Sequence, residues 1–329
     1  MAKFLSWTPL HSRLHRTLKQ RQLLAPQRRL LVAVSGGQDS LCLIKLLLDL
    51  QPKWGWKLAI AHCDHRWLLD TGIAAHVAKI AQAWDLPFYL QTAVEVTQSE
   101  GAARQWRYQA LIETAQTHGY QEVVTGHTKS DRAETFLYNL VRGTGADGLQ
   151  SLTWRRPLTP ELDLVRPLLE ISRAETAHFC QTMQLPIWED AYNQDLKYAR
   201  NRIRQELLPY LKTHFNPQVE QALVQTAEIL RAEVDYLETA ATQLRQQATQ
   251  SEQVGLNRLV LRAAPLALQR RVSRQFLQQV LPSAPNFEQI EAITALITAP
   301  NRSRTAPFPG GAIAEVEGDW IRLKSLTQP

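Results

Sequence analysis

Six residues, Ser35-Gly36-Gly37-Gln38-Asp39-Ser40, follow directly on the apolar run Leu30-Leu31-Val32-Ala33-Val34 and precede a leucine-rich stretch at 41–50. A buried strand that runs into a glycine turn and opens a helix makes a phosphate cradle. Adjacent glycines let the backbone come close to a ligand. The first helical turn supplies unpaired N–H groups and a partial positive charge. Ser35 and Ser40 add hydroxyl donors, and Asp39 adds a carboxylate that can reach a metal ion such as Mg²⁺. The lysine of a GxxxxGK[ST] loop is absent, which excludes the Walker type of phosphate site.

Further segments carry chemistry. His62-Cys63-Asp64-His65-Arg66 ends a second apolar run, and its polar groups suit a nucleotide edge. It has no partner pair of the kind a structural zinc site needs. Arg104 and Arg107 lie three apart, on one face of a helix that continues through Tyr108. Their guanidinium forks suit phosphate oxygens, although a solvated helix face shows the same spacing. In Gly126-His127-Thr128-Lys129-Ser130-Asp131-Arg132-Ala133-Glu134-Thr135, Asp131 and Glu134 share the first turn of a helix and can hold a cation, either Mg²⁺ or an ammonium. His127 stands just ahead for proton transfer. The same residues also fit a cap, with Ser130 or Asp131 as N-cap and Glu134 closing a capping box. Arg142 opens a glycine-rich loop. Arg200, Arg202 and Arg204 follow Trp188-Glu189-Asp190, Asn193 and Asp195, and Arg200 and Arg204 share a face where an RNA backbone or a triphosphate would relieve their repulsion, although a solvated basic helix shows the same pattern.

The elements that must position these groups alternate as strand and helix over the first ~140 residues, with strands at 30–34, 57–62, 87–93 and 122–125 and helices at 71–84, 102–118 and 131–142 between them. Residues 52–55 read as a turn, 143–190 as loop-rich with one short helix at 172–183, and 193–211 as a basic helix. Repeated βα units imply an α/β fold with a doubly wound, mostly parallel sheet, whose ligands sit beyond the carboxyl ends of the strands. A basic arm at 1–28, helical with Leu10, Leu14 and Leu18 as its stripe, precedes the first strand. The expected catalytic domain is 1–215. Residues 216–329 form a mainly helical C-terminal domain, with helices from 219, at 266–280 and at 287–296, and a small β-ribbon at 305–324.

The chain has 329 residues and a formal net charge of +6, a surplus suited to a polyanionic partner. Cys42, Cys63 and Cys180 form no CxxC pair and no disulfide framework, and they suit a reducing compartment. No apolar stretch approaches the ~20 residues of a membrane span. These features point to a cytoplasmic protein.

Taken together, SGGQDS, HCDHR, the EGAAR–RY segment, GHTKSDRAET, RGTG, Arg166-Pro167-Leu168-Leu169 and the RNRIR run resemble the tRNA(Ile)-lysidine synthetase family, over about 29–211. The resemblance implies a PP-loop fold of the adenine nucleotide α-hydrolase kind. It implies a ligase that spends ATP to join free L-lysine to C2 of the wobble cytidine of a CAU-anticodon tRNA(Ile) through an adenylated intermediate, and a homodimer. It assigns Ser35, Gly36, Gly37, Gln38, Asp39, Ser40, His62, Asp64 and Arg104 to ATP, with Asp39 at Mg²⁺. It assigns His127, Asp131 and Glu134 to lysine, and Arg107, Arg142, Arg200, Arg202 and Arg204 to tRNA; Asp39, His127, Asp131 and Glu134 would be catalytic. Thr128, Ser130 and Arg132 depart from the family's commoner GHHxDDQAET. A tRNA thiolase of the same fold would need a paired or cluster-bound cysteine, an amidating ligase an ammonia source, and a tRNA-binding protein using ATP structurally would have no use for the carboxylate pair.

Overall fold

The computed structural model describes residues 7–67, 71–96, 99–188, 195–249 and 255–325. Glu189, Asp190 and Asn193 lie outside them. The chain divides into two compact units, Met1–Glu228 and Ile229–Pro329.

The first unit is built on a six-stranded sheet among the described residues. Its strands are β1 (Arg29–Ala33), β2 (Lys57–Asp64), β3 (Phe88–Thr92), β4 (Glu122–Thr125), β5 (Arg155–Thr159) and β6 (Leu162–Val165), in the order β3-β2-β1-β4-β6-β5. All neighbours are parallel except β5 and β6, which form an antiparallel hairpin at the edge. Order reverses between β1 and β4, so the crevice beyond their carboxyl ends is the switch point of the sheet. Side chains alternate along β1. Leu30 and Val32 join one core with α1 (Pro9–Gln20), α2 (Gln38–Trp54), α3 (Ile73–Ala83) and α7 (Arg173–Thr182); Leu31 joins a second core under α4 (Glu100–His118) on the opposite face. The basic N-terminal segment is therefore part of the core, with Leu10, Leu14 and Leu18 buried as its stripe requires.

Some boundaries differ from the sequence reading. Residues 52–54 continue α2 rather than turning, because Pro52 sits in the last turn and Gly55 supplies the left-handed cap at φ 68°. The region 143–190 also holds α6 (Gly145–Leu149) and the β5–β6 hairpin, whose prolines and charges hide the strand period. The basic helix begins at α8 (Ala199–Arg202) and passes through a π-helical turn, Ile203–Leu207, into α9 (Leu208–His214).

From α10 (Val219–Ala248) the chain enters the second unit. There β7 (Gly255–Asn257), α11 (Arg258–Arg262), α12 (Leu266–Val280), α13 (Phe287–Leu296), β8 (Ala312–Glu317) and β9 (Trp320–Ser325) close a separate core around Val272, Phe276, Leu277, Ile293 and Ile321. Its strands run in the order β7-β9-β8.

Candidate active site

The turn after β1 is held open by glycine. Gly36 has φ +89°, a conformation that favours glycine, and its carbonyl accepts the Trp188 N–H at 3.0 Å. Gly37 is the N-cap of α2 and brings no side-chain cap of its own. Ser40 folds back to tie the turn: its Oγ donates to the Gly37 carbonyl at 2.9 Å, accepts the Ser35 N–H at 3.2 Å and lies 3.3 Å from Ser35 Oγ. Gln38 turns its side chain to α7, where Nε2 donates to the Arg173 carbonyl at 2.9 Å and to Thr176 Oγ1 at 3.1 Å.

The turn after β4 lies against this one. A Cβ on Gly126 would stand 2.8 Å from the Asp39 carbonyl oxygen and 3.0 Å from Ser40 N, so only glycine lets the two turns touch. Here α5 (Lys129–Val141) begins, capped by Thr128 rather than by Ser130 or Asp131. Asp131, at N3, closes the capping box. Its Oδ2 accepts both the Thr128 N–H and the Thr128 hydroxyl at 2.7 Å. Glu134 lies a turn too far along to cap and is left for other work. The other departures also have structural partners. Ser130 Oγ donates to Glu220 at 3.0 Å, and the buried Arg132 meets Glu228 at 2.5 Å, turned away from the phosphate turn.

Arg173 draws the two turns together, and sequence reasoning did not find it. Its Nε donates to Asp39 Oδ2 at 3.2 Å, Nη1 to Glu134 Oε1 at 3.0 Å and Nη2 to Asp131 Oδ1 at 2.7 Å. Three carboxylates thus share one guanidinium. Thr176, one turn along α7, also donates to Asp39. Arg204 adds a bidentate pair to Glu134 at 2.8 and 2.9 Å. Burial pushes the Asp39 carboxyl up despite Arg173. Asp131 is held low, because Arg173 and the N–H and hydroxyl of Thr128 outweigh its burial. The one local hint of Arg173 is an arginine at the first position of a helix, where the dipole disfavours a cation.

These groups line a cavity of about 400 Å³. Its wall includes Ser35, Asp39, Ser40, His127, Asp131 and Glu134 from the two turns. Towards β2 and α4 it is lined by His62, Asp64, His65, Trp67, Arg104 and Arg107, and at its mouth by Arg200 and Arg204. The buried His62 ring meets the Val34 carbonyl at 2.8 Å. His65, of the same segment, stacks on Trp67, and burial with Arg107 nearby lowers it to about 4. His127 Nδ1 pairs with Thr125 Oγ1 at 2.9 Å. The enclosing wall, with Arg166, Arg107 and Arg104 beyond it, outweighs Asp131 and lowers the His127 imidazole to about 3, so it is neutral at neutral pH. Glu134 and Arg204 also line a second cavity of about 580 Å³, bounded by α7 and α9.

The remaining arginines lie outside the pocket wall. Arg142 donates to Tyr138 Oη at 3.1 Å, with Arg200 over the same ring at 5.4 Å, and Arg202 caps the Leu196 and Lys197 carbonyls at 2.8 and 3.0 Å. Of the cysteines, Cys63 reaches the cavity, with its thiol raised by burial to about 11. Cys42 and Cys180, far apart in sequence, lie against each other between α2 and α7, which the spacing could not reveal.

The phosphate turn suits ATP, and Asp39 suits a divalent cation. Mg²⁺ commonly takes one or two carboxylates and completes its shell with substrate phosphates and water. Among the described residues no cluster of three metal-ligating side chains offers it a complete protein cage.

Residues 8–211 match the PP-loop domain family, and 256–320 match the TilS substrate binding domain. The chain is 64% identical over 335 aligned residues to a tRNA(Ile)-lysidine synthase of Nostoc sp. (strain PCC 7120), covering 97% of this chain and 98% of the relative. It is 55% identical to one from Synechocystis sp. (strain PCC 6803), covering 97% and 98%. It is 36% identical to a chloroplastic tRNA(Ile)-lysidine synthase of Zygnema circumcarinatum, covering 89% and 81%. Among solved structures, the U34-tRNA thiolase NcsA of Methanococcus maripaludis, with its [4Fe–4S] cluster, superposes with a TM-score of 0.55 at 18% identity over 68% of this chain and 78% of its own, a likeness of fold alone.

Proposed function

The chain belongs to the tRNA(Ile)-lysidine synthase family, and from that premise we propose that its 400 Å³ cavity is where ATP, the wobble cytidine and lysine meet. The protein is a ligase that uses ATP to join lysine to C2 of the wobble cytidine of tRNA(Ile) with a CAU anticodon, and so converts codon reading from AUG to AUA. In the first step the C2 oxygen attacks the α-phosphate and pyrophosphate leaves. In the second the ε-amine attacks C2, the C2–O bond breaks and AMP departs.

The observation that supports this reading is the junction of the two turns at the switch point. It puts the phosphate cradle and the Asp131–Glu134 pair in one wall, joined through Arg173. The Ser35–Ser40 turn receives the pyrophosphate, with the backbone of Gly36, Gly37 and Gln38 as donors. Asp39 would hold Mg²⁺, which when bound neutralises charge on the phosphates. His62, Asp64 and Arg104 form the nucleotide side. Lysine brings a cation into a wall whose carboxylates are now neutralised by Arg173 and Arg204, so its ammonium competes for Asp131 and Glu134. The amine attacks only when neutral. His127, whose Nδ1 lies 2.9 Å from Thr125 Oγ1, stands beside Asp131 and Glu134, and the three together would bind the lysine side chain and help remove that proton. Arg107, Arg142, Arg200, Arg202 and Arg204 contribute positive charge for the tRNA. The protein acts in the cytoplasm.

The test is incubation with ATP, Mg²⁺, labelled lysine and a CAU-anticodon tRNA(Ile) transcript. Label retained on the RNA, lost with Asp39→Ala and with an altered wobble base, is the expected result. Pyrophosphate release without retained label would keep the adenylation and reject lysine as the nucleophile.

A further inference from the structure

Four arginines from three segments gather about the ring of Tyr108. Arg156 of β5, Arg104 and Arg107 of α4 place their guanidinium carbons 4.6, 5.4 and 5.8 Å from its centroid. Arg166, just past β6, completes the group and is 2% exposed. Its Nη1 donates to the Thr153 carbonyl at 2.7 Å, while its Nε is buried without a hydrogen-bond partner among the described residues.

Among the described residues none of the four makes an ion pair with a carboxylate: burial and the neighbouring arginines hold Arg104 and Arg166 below the ordinary arginine value, with Tyr108 acting against them. Elsewhere in the unit the arginines find acids, as Arg13, Arg21, Arg132 and Arg155 do. The Tyr108 phenol cannot serve as the counter-ion. Burial raises it, Arg104, Arg166 and Arg107 pull it down to about 8, and it stays mostly protonated at neutral pH. Gathering like charges away from water costs free energy unless an anion completes the group.

The pyrophosphate end of ATP already has a cradle in the Ser35–Ser40 turn. The phosphate turn opens α2, which packs on one face of the sheet, while Arg104 and Arg107 rise from α4 on the other. Arg104 and Arg107 nevertheless reach the wall of the 400 Å³ cavity, so whatever fills that cavity passes the cluster.

We propose that Arg107, Arg156 and Arg166 form a phosphodiester site that grips the RNA backbone beside the wobble nucleotide, with Arg104 between this site and the nucleotide. The site rests on the function proposed above and adds to it Arg156 and Arg166, which the motifs do not assign. It takes phosphate oxygens without reading a base, so it positions the RNA rather than selecting it.

Arg156→Gln and Arg156→Lys in the full chain test it, because this side chain is partly exposed on an edge strand. Binding of the tRNA transcript is measured over a series of KCl concentrations, and ATP binding by calorimetry. Arg156→Gln is expected to weaken tRNA binding roughly three- to tenfold and to lower the log–log salt slope by about 1, with ATP affinity unchanged. Arg156→Lys should restore the slope. Unchanged tRNA affinity and slope in a folded Arg156→Gln protein would overturn the site, and so would a loss confined to ATP. If lysidine still forms while Arg156→Gln changes nothing, this site fails and the proposed function stands. If no lysidine forms but the slope falls, the reverse holds.

Discussion

Asp39, Asp131 and Glu134 converge on the guanidinium of Arg173 at 3.2, 2.7 and 3.0 Å. Three carboxylates at such range repel one another, and a planar fork with several donors relieves this where the single point of a lysine ammonium could not. Arg173→Ala should therefore abolish tRNA-dependent pyrophosphate release and lower stability by about 3 kcal/mol, the scale for breaking a buried ion pair; chemical denaturation at neutral pH checks it. Arg173→Lys should recover little. His127 gives a pH signature. Its unfolded pKa lies near 6.5 and its folded one at about 3. Between these values the unfolded chain binds a proton that the folded chain refuses, so stability falls as pH is lowered through that window. Asp131, held low, contributes in the same direction below its ordinary value, whereas Asp39, raised, contributes in the opposite one. Melting temperature measured across pH should decline less steeply for His127→Gln than for the unchanged protein.

The turns after β1 and β4 work only because both are thin where they cross. Gly126→Ala would drive a Cβ to 2.8 Å from the Asp39 carbonyl and push the first turn of α2 out of place. An expected loss of about 1–3 kcal/mol in stability, with a fall in pyrophosphate release larger than the loss of folded protein explains, follows from backbone that cannot give way. The strands at 122–125 and the helices at 266–280 and 287–296 were legible because each carries a clean apolar period bounded by turn residues. The β5–β6 hairpin was not, since Pro157, Pro160 and its charges break the alternation. Asp39, Asp131 and Glu134 were legible as motifs. Arg173 was not, because its role exists only once α7 packs on α2 and no local pattern encodes that contact. The cap was misread for a similar reason: Thr128, Ser130 and Asp131 are all good caps, and only the geometry of the turn decides between them.

At the scale of the molecule, the +6 charge is unevenly spent. Arg13 of α1 and Arg21 at its C-cap answer Glu175, Glu170 and Glu228, so part of the charge of the basic N-terminal segment is neutralised within the first unit. Arg104 and Arg107 in the cavity wall, and Arg156 near them over the Tyr108 ring, make no ion pair with a carboxylate among the described residues. The second unit has its own core and matches the TilS substrate binding domain over 256–320. Among the described residues no helix is long and apolar enough to cross a membrane. The central claim is that one cavity serves both half-reactions, with the phosphate turn for adenylation and the Asp131–Glu134 pair for lysine. Glu134→Gln tests it most directly, with pyrophosphate release and lysine incorporation followed in the same reaction. The account predicts that tRNA-dependent pyrophosphate release persists while the KM for lysine rises at least about tenfold, as loss of a buried charge partner implies. An unchanged lysine KM, or equal loss of both half-reactions in a folded variant, would contradict it.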